Sequence, residues 1–362
     1  MLYGRIFFKL TAESKPMKKT IALYPNHPSQ LWVLRPVAEV LQCNYNILWF
    51  LREKDIAVPL AETLGISFRI ISKGSKGLGG NFVEYIKTVL QCLAITKKEK
   101  IDLWITKNGA SHLAARILRK KSIAFSDDDI DIIPLLAYSS FPFTNLIIAP
   151  ESTDMGRWDK KTLRIPGNFE MFYLHPKRFK PDSSIFSELG VAKNECFAII
   201  RLVSFTAHHD IGQKGLHNDL ISKILILSTD HHIKVFITSE TPLSPDLEQY
   251  RLQIPLHRIH HALYYAAYFL GDSQTMTTEA ALLGTPAFRV NSFVGKINVM
   301  NELEEKEFSF GFKPGDEEAL LKKLEEIIAV KNQKEKMRER LYSFYAEKDS
   351  LEIFFKYIDQ LI

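Results

Sequence analysis

Short apolar runs alternate with longer stretches of helical spacing along most of this chain. From Thr20 the pattern predicts a strand over 21–24, a helix over 31–41, a strand over 47–51 and a helix over 56–64 closed by Gly65. A strand over 68–71 follows, then a loop over 73–81 and a helix over 82–97. Short strands over 103–105 and 123–125 flank a helix over 111–118. Apolar strands separated by helices of ten or more residues are the mark of a parallel sheet, with right-handed crossovers placing helices on both faces.

The segment 175–182, HPKRFKPD, is basic, contains two prolines and has no periodicity, so it reads as a linker. The alternation then begins again. It predicts a strand over 197–202, a helix over 216–227 and a strand over 234–237. A short segment over 257–259, a helix over 261–267, a strand over 268–270 and a helix over 276–283 complete this part. From Asp316, placed to cap EEALLKKLEEII, the chain reads as helical to its end. The expected fold class is therefore α/β, with two Rossmann-like doubly wound domains over 17–174 and 183–345 and a C-terminal helix over 346–362. Ligands of such sheets sit beyond the carboxyl ends of the strands, which places a site in the cleft between domains. Residues 1–16 read as an extension ahead of the first strand, with Met17 as an alternative start.

Composition narrows the partners. The 362 residues carry a formal net charge of only +5, too weak and mixed for a nucleic-acid partner but compatible with a small anionic ligand or an anionic membrane surface. Cys43, Cys92 and Cys196 are odd in number and far apart, which argues against a disulfide framework or zinc site and fits a reducing, cytoplasmic compartment. No apolar run approaches the ~20 residues of a membrane span. Membrane contact is thus expected to be peripheral, through Lys73, Lys76, Lys87 and neighbouring aromatics.

The most informative stretch is GDSQTMTTEAALLGTPAFRVNS over 271–292. An apolar strand leads into the small or polar residues Asp272, Ser273, Gln274 and Thr275. A helix then starts near Met276 and stops before Gly284 and Pro286. Free N–H groups and the positive dipole end at such a helix start bind anions. Glu279 has no capping-box partner, since Met276 stands three residues before it. A carboxylate one turn into the helix lies past a diphosphate and can accept hydrogen bonds from ribose hydroxyls.

This stretch resembles the donor-site motif of GT-B glycosyltransferases and of the non-hydrolysing UDP-N-acetylglucosamine 2-epimerases. The resemblance implies that Ser273 and Thr275 touch the diphosphate and Glu279 the ribose. Gln274 stands where those epimerases carry glycine. Nearly the whole chain from Met17 is similar to the domain-of-unknown-function family numbered 354, whose members are GT-B-like and often lie in surface-polysaccharide gene clusters. The matching segments are LREKD at 51–55, SIAFSDDD at 122–129, IPGNFEMFYLHPKRFKPD at 165–182, IIRLVSFTAHHDIGQKGL at 199–216 and IHHALYYAAYFLGDSQTMTTEAALLGTP ending at Pro286.

Other candidates lie at predicted strand ends. Arg201 suits a bidentate phosphate contact or an internal pair. His208 and His209 lack the company of ligands that a metal needs. Arg258, His260 and His261 precede a helix and suit either a base-contacting loop or a surface. Arg289 and Asn291 reach toward the sugar or brace a loop. Asp127 is a candidate general base for an acceptor hydroxyl, with His27 a second. The run of Asp127, Asp128 and Asp129 could hold Mg²⁺, though two of the three read better as a turn capping the next helix. Arg52 could bind an anionic group. The loop KGSKGLGGN lacks the Lys-Ser/Thr of a P-loop. No metal or separate cofactor is expected. The expected partners are a nucleotide sugar and a saccharide acceptor, either free or carried on a lipid. The leading expectation is a glycosyltransferase, with a sugar-nucleotide 2-epimerase or hydrolase, or a non-catalytic nucleotide-sugar-binding protein, as alternatives.

Overall fold

The computed structural model describes residues 18–53, 56–73, 77–202, 216–239, 241–330, 332–345 and 348–358. The first domain runs β1 (Thr20–Tyr24), α1 (Pro28–Leu41), β2 (Asn46–Glu53), α2 (Ala57–Thr63), β3 (Phe68–Lys73), α3 (Gly77–Lys98), β4 (Ile101–Thr106) and α4 (Gly109–Ile117). It continues through β5 (Lys121–Phe125), α5 (Pro134–Ser140), β6 (Leu146–Pro150) and β7 (Thr162–Ile165). Its strands are parallel in the order β3-β2-β1-β4-β5-β6-β7. Side chains alternate across each strand, so Ile21 and Leu23 enter one core and Ala22 and Tyr24 the other. Trp104 anchors the second of these, packed against Tyr24 and Phe50, with its indole N–H donating to Thr96 Oγ1.

Two short helices, α6 (Met171–Leu174) and α7 (Ile185–Glu188), bring the chain across. The second domain then holds β8 (Cys196–Leu202), α8 (Asn218–Asp230), β9 (Ile233–Ser239), α9 (Ile259–Tyr265), β10 (Phe269–Gly271), α10 (Gln274–Leu282), β11 (Ala287–Val290), α11 (Asn298–Glu305) and β12 (Ser309–Phe312). Its parallel sheet has the order β12-β11-β10-β8-β9. Phe197, Ile199 and Phe269 face one core, while Ala198, Ile200 and Leu270 face another. Two doubly wound domains are what the alternation predicted.

The C-terminal helices are α12 (Glu317–Ala329), α13 (Gln333–Tyr345) and α14 (Ser350–Ile358). The last returns to the first domain, where Phe354 packs on Phe125 and Phe172. Helix α6 belongs to both cores: Met171 and Leu174 are buried in the second and Phe172 in the first. The basic segment 175–182 is pinned rather than loose. Arg178 donates to the carbonyls of Phe172 and Met171 and grips Asp349 with two hydrogen bonds of 2.8 and 2.9 Å.

Several local expectations are corrected. The segment 257–259 is a helical turn leading into α9, as Pro255 directs the chain into a tight turn. Asp316 holds the N-cap position of α12, but its carboxylate accepts the N–H of Lys313 instead of a helix N–H. None of the three aspartates caps the next helix; α5 begins with Pro134, which has no N–H to offer, and Ile133 precedes it. Helix α10 starts at Gln274, two residues early, because Ser273 caps it by accepting the N–H of Met276.

Candidate active site

In each sheet the strand order reverses beside the first strand of the domain, between β1 and β4 and between β8 and β10. Loops leaving neighbouring strands part there to opposite faces and open a crevice. The two crevices face one another. Between them lies a cavity of about 220 Å³. From the first domain it is lined by His27, Ser29 and Gln30 at the start of α1, Lys107 after β4, and Asp127 and Asp128 after β5. Asn168 and Glu170 form its floor on the interdomain segment, and Gln274, Thr275 and Thr278 of α10 face it from the second domain.

The structure thus brings Asp127, His27, Gln274 and Thr275 to one cavity. It also supplies two groups the sequence reading passed over. Lys107 bonds both Asp127 and Asp128. Burial alone would lower its ammonium and raise the Asp127 carboxyl, but their pairing reverses both: Lys107 is pushed up and Asp127 held below the usual carboxylate range. Glu170 is buried with no ion pair among the described residues. Burial, with the Asp127 and Glu279 charges nearby, pushes its carboxyl up to about 8. A lysine ending an apolar strand and a lone acid within NFEMF were the available signals.

The aspartate run is divided between two sets of partners. Asp129 Oδ2 accepts the N–H of Asn298 at 2.7 Å, and its Oδ1 accepts from Asn298 Nδ2 and the N–H of Asp154. This carboxylate therefore ties the first domain to the N-terminus of α11, where the helix dipole favours it. His27 caps α1, its Nδ1 accepting the N–H of Ser29 at 3.3 Å.

Glu279 lies in the second turn of α10 and is 4% exposed. Its Oε1 accepts from Tyr173 Oη at 2.7 Å and His260 Nε2 at 2.9 Å. Trp32 of the first domain stacks on Tyr173 and meets the His260 ring edge-on at 4.6 Å. Ser273 is occupied as the helix cap, and Met276 packs on the second-domain core instead of lining the cavity. The main-chain carbonyl of Asp272 accepts from Asn291, which also holds the N–H of Phe293 and so braces the loop.

The remaining candidates stand apart from the cavity lining. Arg201 Nη1 donates to Thr238 Oγ1 at 3.1 Å. Arg289 is fully buried and bonds Glu304 at 2.7 Å; β11 pairs it in register with Gly311, whose missing side chain leaves room for the Glu304 carboxylate. Arg52 makes a two-pronged pair with Glu84. Arg258 pairs with Asp182 and Glu188. His261 accepts the N–H of Asp182. His208, His209 and Asp210 lie outside the described residues. No group of three or more His, Cys, Asp or Glu side chains suited to a metal ion occurs among the described residues.

Two parallel-sheet domains, a cleft where both strand orders reverse and a crossing back by the last helix define the GT-B architecture. An S. aureus MnaA–UDP co-structure has this fold, with a TM-score of 0.67 at 14% identity over 96% of this chain and 98% of that one. A UDP-GlcNAc 2-epimerase from Neisseria meningitidis bound to UDP-GlcNAc matches with a TM-score of 0.65 at 14% identity, over 93% and 100% of the two chains. The spinosyn forosaminyltransferase SpnP matches with a TM-score of 0.63 at 12% identity, over 94% and 98%. At such identities the likeness is one of fold. No protein-family model and no curated protein matches the chain.

Proposed function

We propose that this chain is a GT-B-type glycosyltransferase that uses a nucleotide sugar in cell-surface polysaccharide synthesis and belongs with the domain-of-unknown-function family numbered 354. The observation that carries the reading is the cavity itself. The N-terminal turn of α10 offers Gln274 and Thr275 on one wall, and Asp127 stands on the other. A diphosphate fits the N–H groups and dipole of α10, and Glu279 takes the ribose. The first domain then receives the acceptor, with Asp127 directed at its hydroxyl and Lys107 holding that carboxylate ionised. Arg201, Asp272, Ser273, Met276 and Arg289 support the donor side from behind the cavity wall. Similar structures described with UDP or UDP-GlcNAc support this choice of ligand class.

A second reading, a sugar-nucleotide 2-epimerase, gains from Glu170, which gives the cavity a further carboxyl group beside Asp127. Epimerisation needs several acids and bases around one sugar, whereas transfer needs one base and a stabilised leaving group. The test is to incubate the protein in deuterated buffer with UDP-GlcNAc, GDP-mannose and dTDP-glucose in turn. One sugar nucleotide is expected to bind without taking deuterium at C2, and a saccharide acceptor is expected to speed release of nucleoside diphosphate. Asp127→Asn should slow that release while leaving donor binding intact. Deuterium at C2 without acceptor would replace transfer by epimerisation, and no binding across the set would remove the donor site.

An acceptor carried on a lipid suits the surface of the first domain. Helix α3 exposes Phe82, Val83, Ile86 and Leu90 beside Lys87, and α5 exposes Leu135 and Tyr138. Tyr85 Oη donates to the carbonyl of Ser139, so the two helices touch at this point, with α4 packed against both. Both start at the carboxyl edge of the sheet, the edge that faces the cleft. No helix among the described residues is long and apolar enough to cross a membrane. The domain is expected to co-float with anionic vesicles at low salt, and Phe82→Glu with Leu90→Glu should abolish this. Equal flotation with neutral vesicles in high salt would contradict an electrostatic, peripheral contact.

A further inference from the structure

We propose that Glu170 binds the nucleotide sugar as a neutral carboxylic acid, its hydroxyl hydrogen donating to an oxygen of the bound ligand, so that donor binding holds one proton on the protein. This deepens the donor-site reading and rests on it.

The argument begins with position. Glu170 stands where the chain crosses between domains, and its carboxyl borders the same cavity as Asp127 and the first turn of α10. It is buried, yet no side chain among the described residues pairs with it; its own backbone N–H is the partner its carboxyl has. That single N–H leaves acceptor and donor capacity on a buried carboxyl bordering the cavity, which a ligand or water there can take up. Burial also favours the uncharged form of an acid.

The surrounding charges act in the same direction. Asp127 and Asp128 approach from β5, and one ammonium, Lys107 after β4, serves both. Glu279 faces Glu170 from α10, and Tyr173 follows on α6 with its phenol pushed well up by burial and these carboxylates. His27 completes the wall from α1. Two carboxylates against one lysine leave this pocket with an excess of negative charge before any ligand arrives. A diphosphate adds more, which holds the proton on Glu170 more firmly. An ionised Glu170 would repel the ligand, whereas the protonated acid can donate to it. The carboxyl is raised to about 8 by burial first and by Asp127 and Glu279 next, which brings the change between these states within reach of experiment. Lys107 is pushed up and Asp127 held down, so neither titrates across that interval.

The test is calorimetric titration of the full chain with UDP-GlcNAc, GDP-mannose and dTDP-glucose from about pH 6 to about pH 9, below the range in which the N–H groups of the bases ionise, since one linked proton changes affinity about tenfold per pH unit. Both phosphates of such a diester keep their charge throughout. The expected affinity is level on the acid side, then falls about tenfold per unit above the Glu170 transition. Glu170→Gln keeps a hydrogen-bond donor of the same size and cannot ionise, so it should bind as wild type near neutrality and lose the alkaline fall. Glu170→Leu should bind weakly at every pH while unfolding no earlier than wild type. Wild-type binding with a level profile, or an alkaline fall that survives in Glu170→Gln, would overturn the proton-donor role alone. Absence of binding by wild type at every pH would overturn the donor site and this role together.

Discussion

Arg178→Ala is expected to destabilise the fold by about 3–5 kcal/mol, the range for breaking a buried ion pair by removing one partner. The guanidinium closes four hydrogen bonds, two to the carbonyls of α6 and two to Asp349. Asp349 is only 3% exposed as a side chain, so its charge would be left with poor hydration. Lys177 lies 3.5 Å away and compensates in part, which favours the lower end of the range. Arg178→Lys keeps the charge but not the planar fork, and should fall between wild type and alanine. Urea denaturation gives the comparison, and a loss below about 1 kcal/mol would mean water substitutes for the guanidinium.

The same pair fixes a pH dependence. Burial would raise the Asp349 carboxyl, but the hydrogen-bonded Arg178 overrides it and holds the group at about 2. An unfolded aspartate titrates near 4. Because the folded pKa is the lower one, the unfolded chain binds the proton more readily. The stabilisation is therefore complete above about pH 4 and is lost as pH falls through the folded value. Arg178→Ala should remove this part of the acid sensitivity.

Glu279→Gln is expected to weaken nucleotide-sugar binding by about tenfold to a hundredfold, since a hydrogen bond to a charged group contributes about 1.5–3 kcal/mol. The glutamate accepts from Tyr173 and His260 in the structure, so two roles need separating. Tyr173→Phe removes one of these donors while leaving the carboxylate. If Glu279 serves the ribose, the amide variant loses affinity, and Tyr173→Phe changes it far less. If the glutamate only clasps the domains, both variants lower the melting temperature and leave affinity unchanged.

Much of this architecture was readable from periodicity because the strands that matter most are short, apolar and buried on both faces. β1, β4 and β10 are of this kind, and each was anticipated within two residues at either end. β7 escaped because it is only TLRI and carries a polar side chain at alternate positions, whereas β6, LIIAP, has the same apolar, buried character as β1 and was legible on the same ground. β12, SFGF, is equally brief. The α10 start was legible from the polar turn, although Ser273 capped it earlier than Met276 suggested. The cavity was only half legible. Asp127, His27, Gln274 and Thr275 could be named from strand and helix ends, because topology places such ends at a crevice. Glu170 and Lys107 could not be weighed in the same way. What distinguishes them is a partner or its lack, and partners 20 or more residues away are set by packing: Lys107 meets Asp127 through the adjacency of β4 and β5. Arg289 shows the converse, a strand-end arginine that the fold turns toward Glu304.

The chain passes between its domains twice, first through α6 and the basic segment, then back into α14. A body held by one covalent thread can swivel about it as well as bend. Two threads lying side by side forbid the swivel, and here the Arg178–Asp349 grip fastens one to the other. A body so tethered keeps bending as its remaining freedom, so α10 stays turned toward Asp127 across the cavity they share.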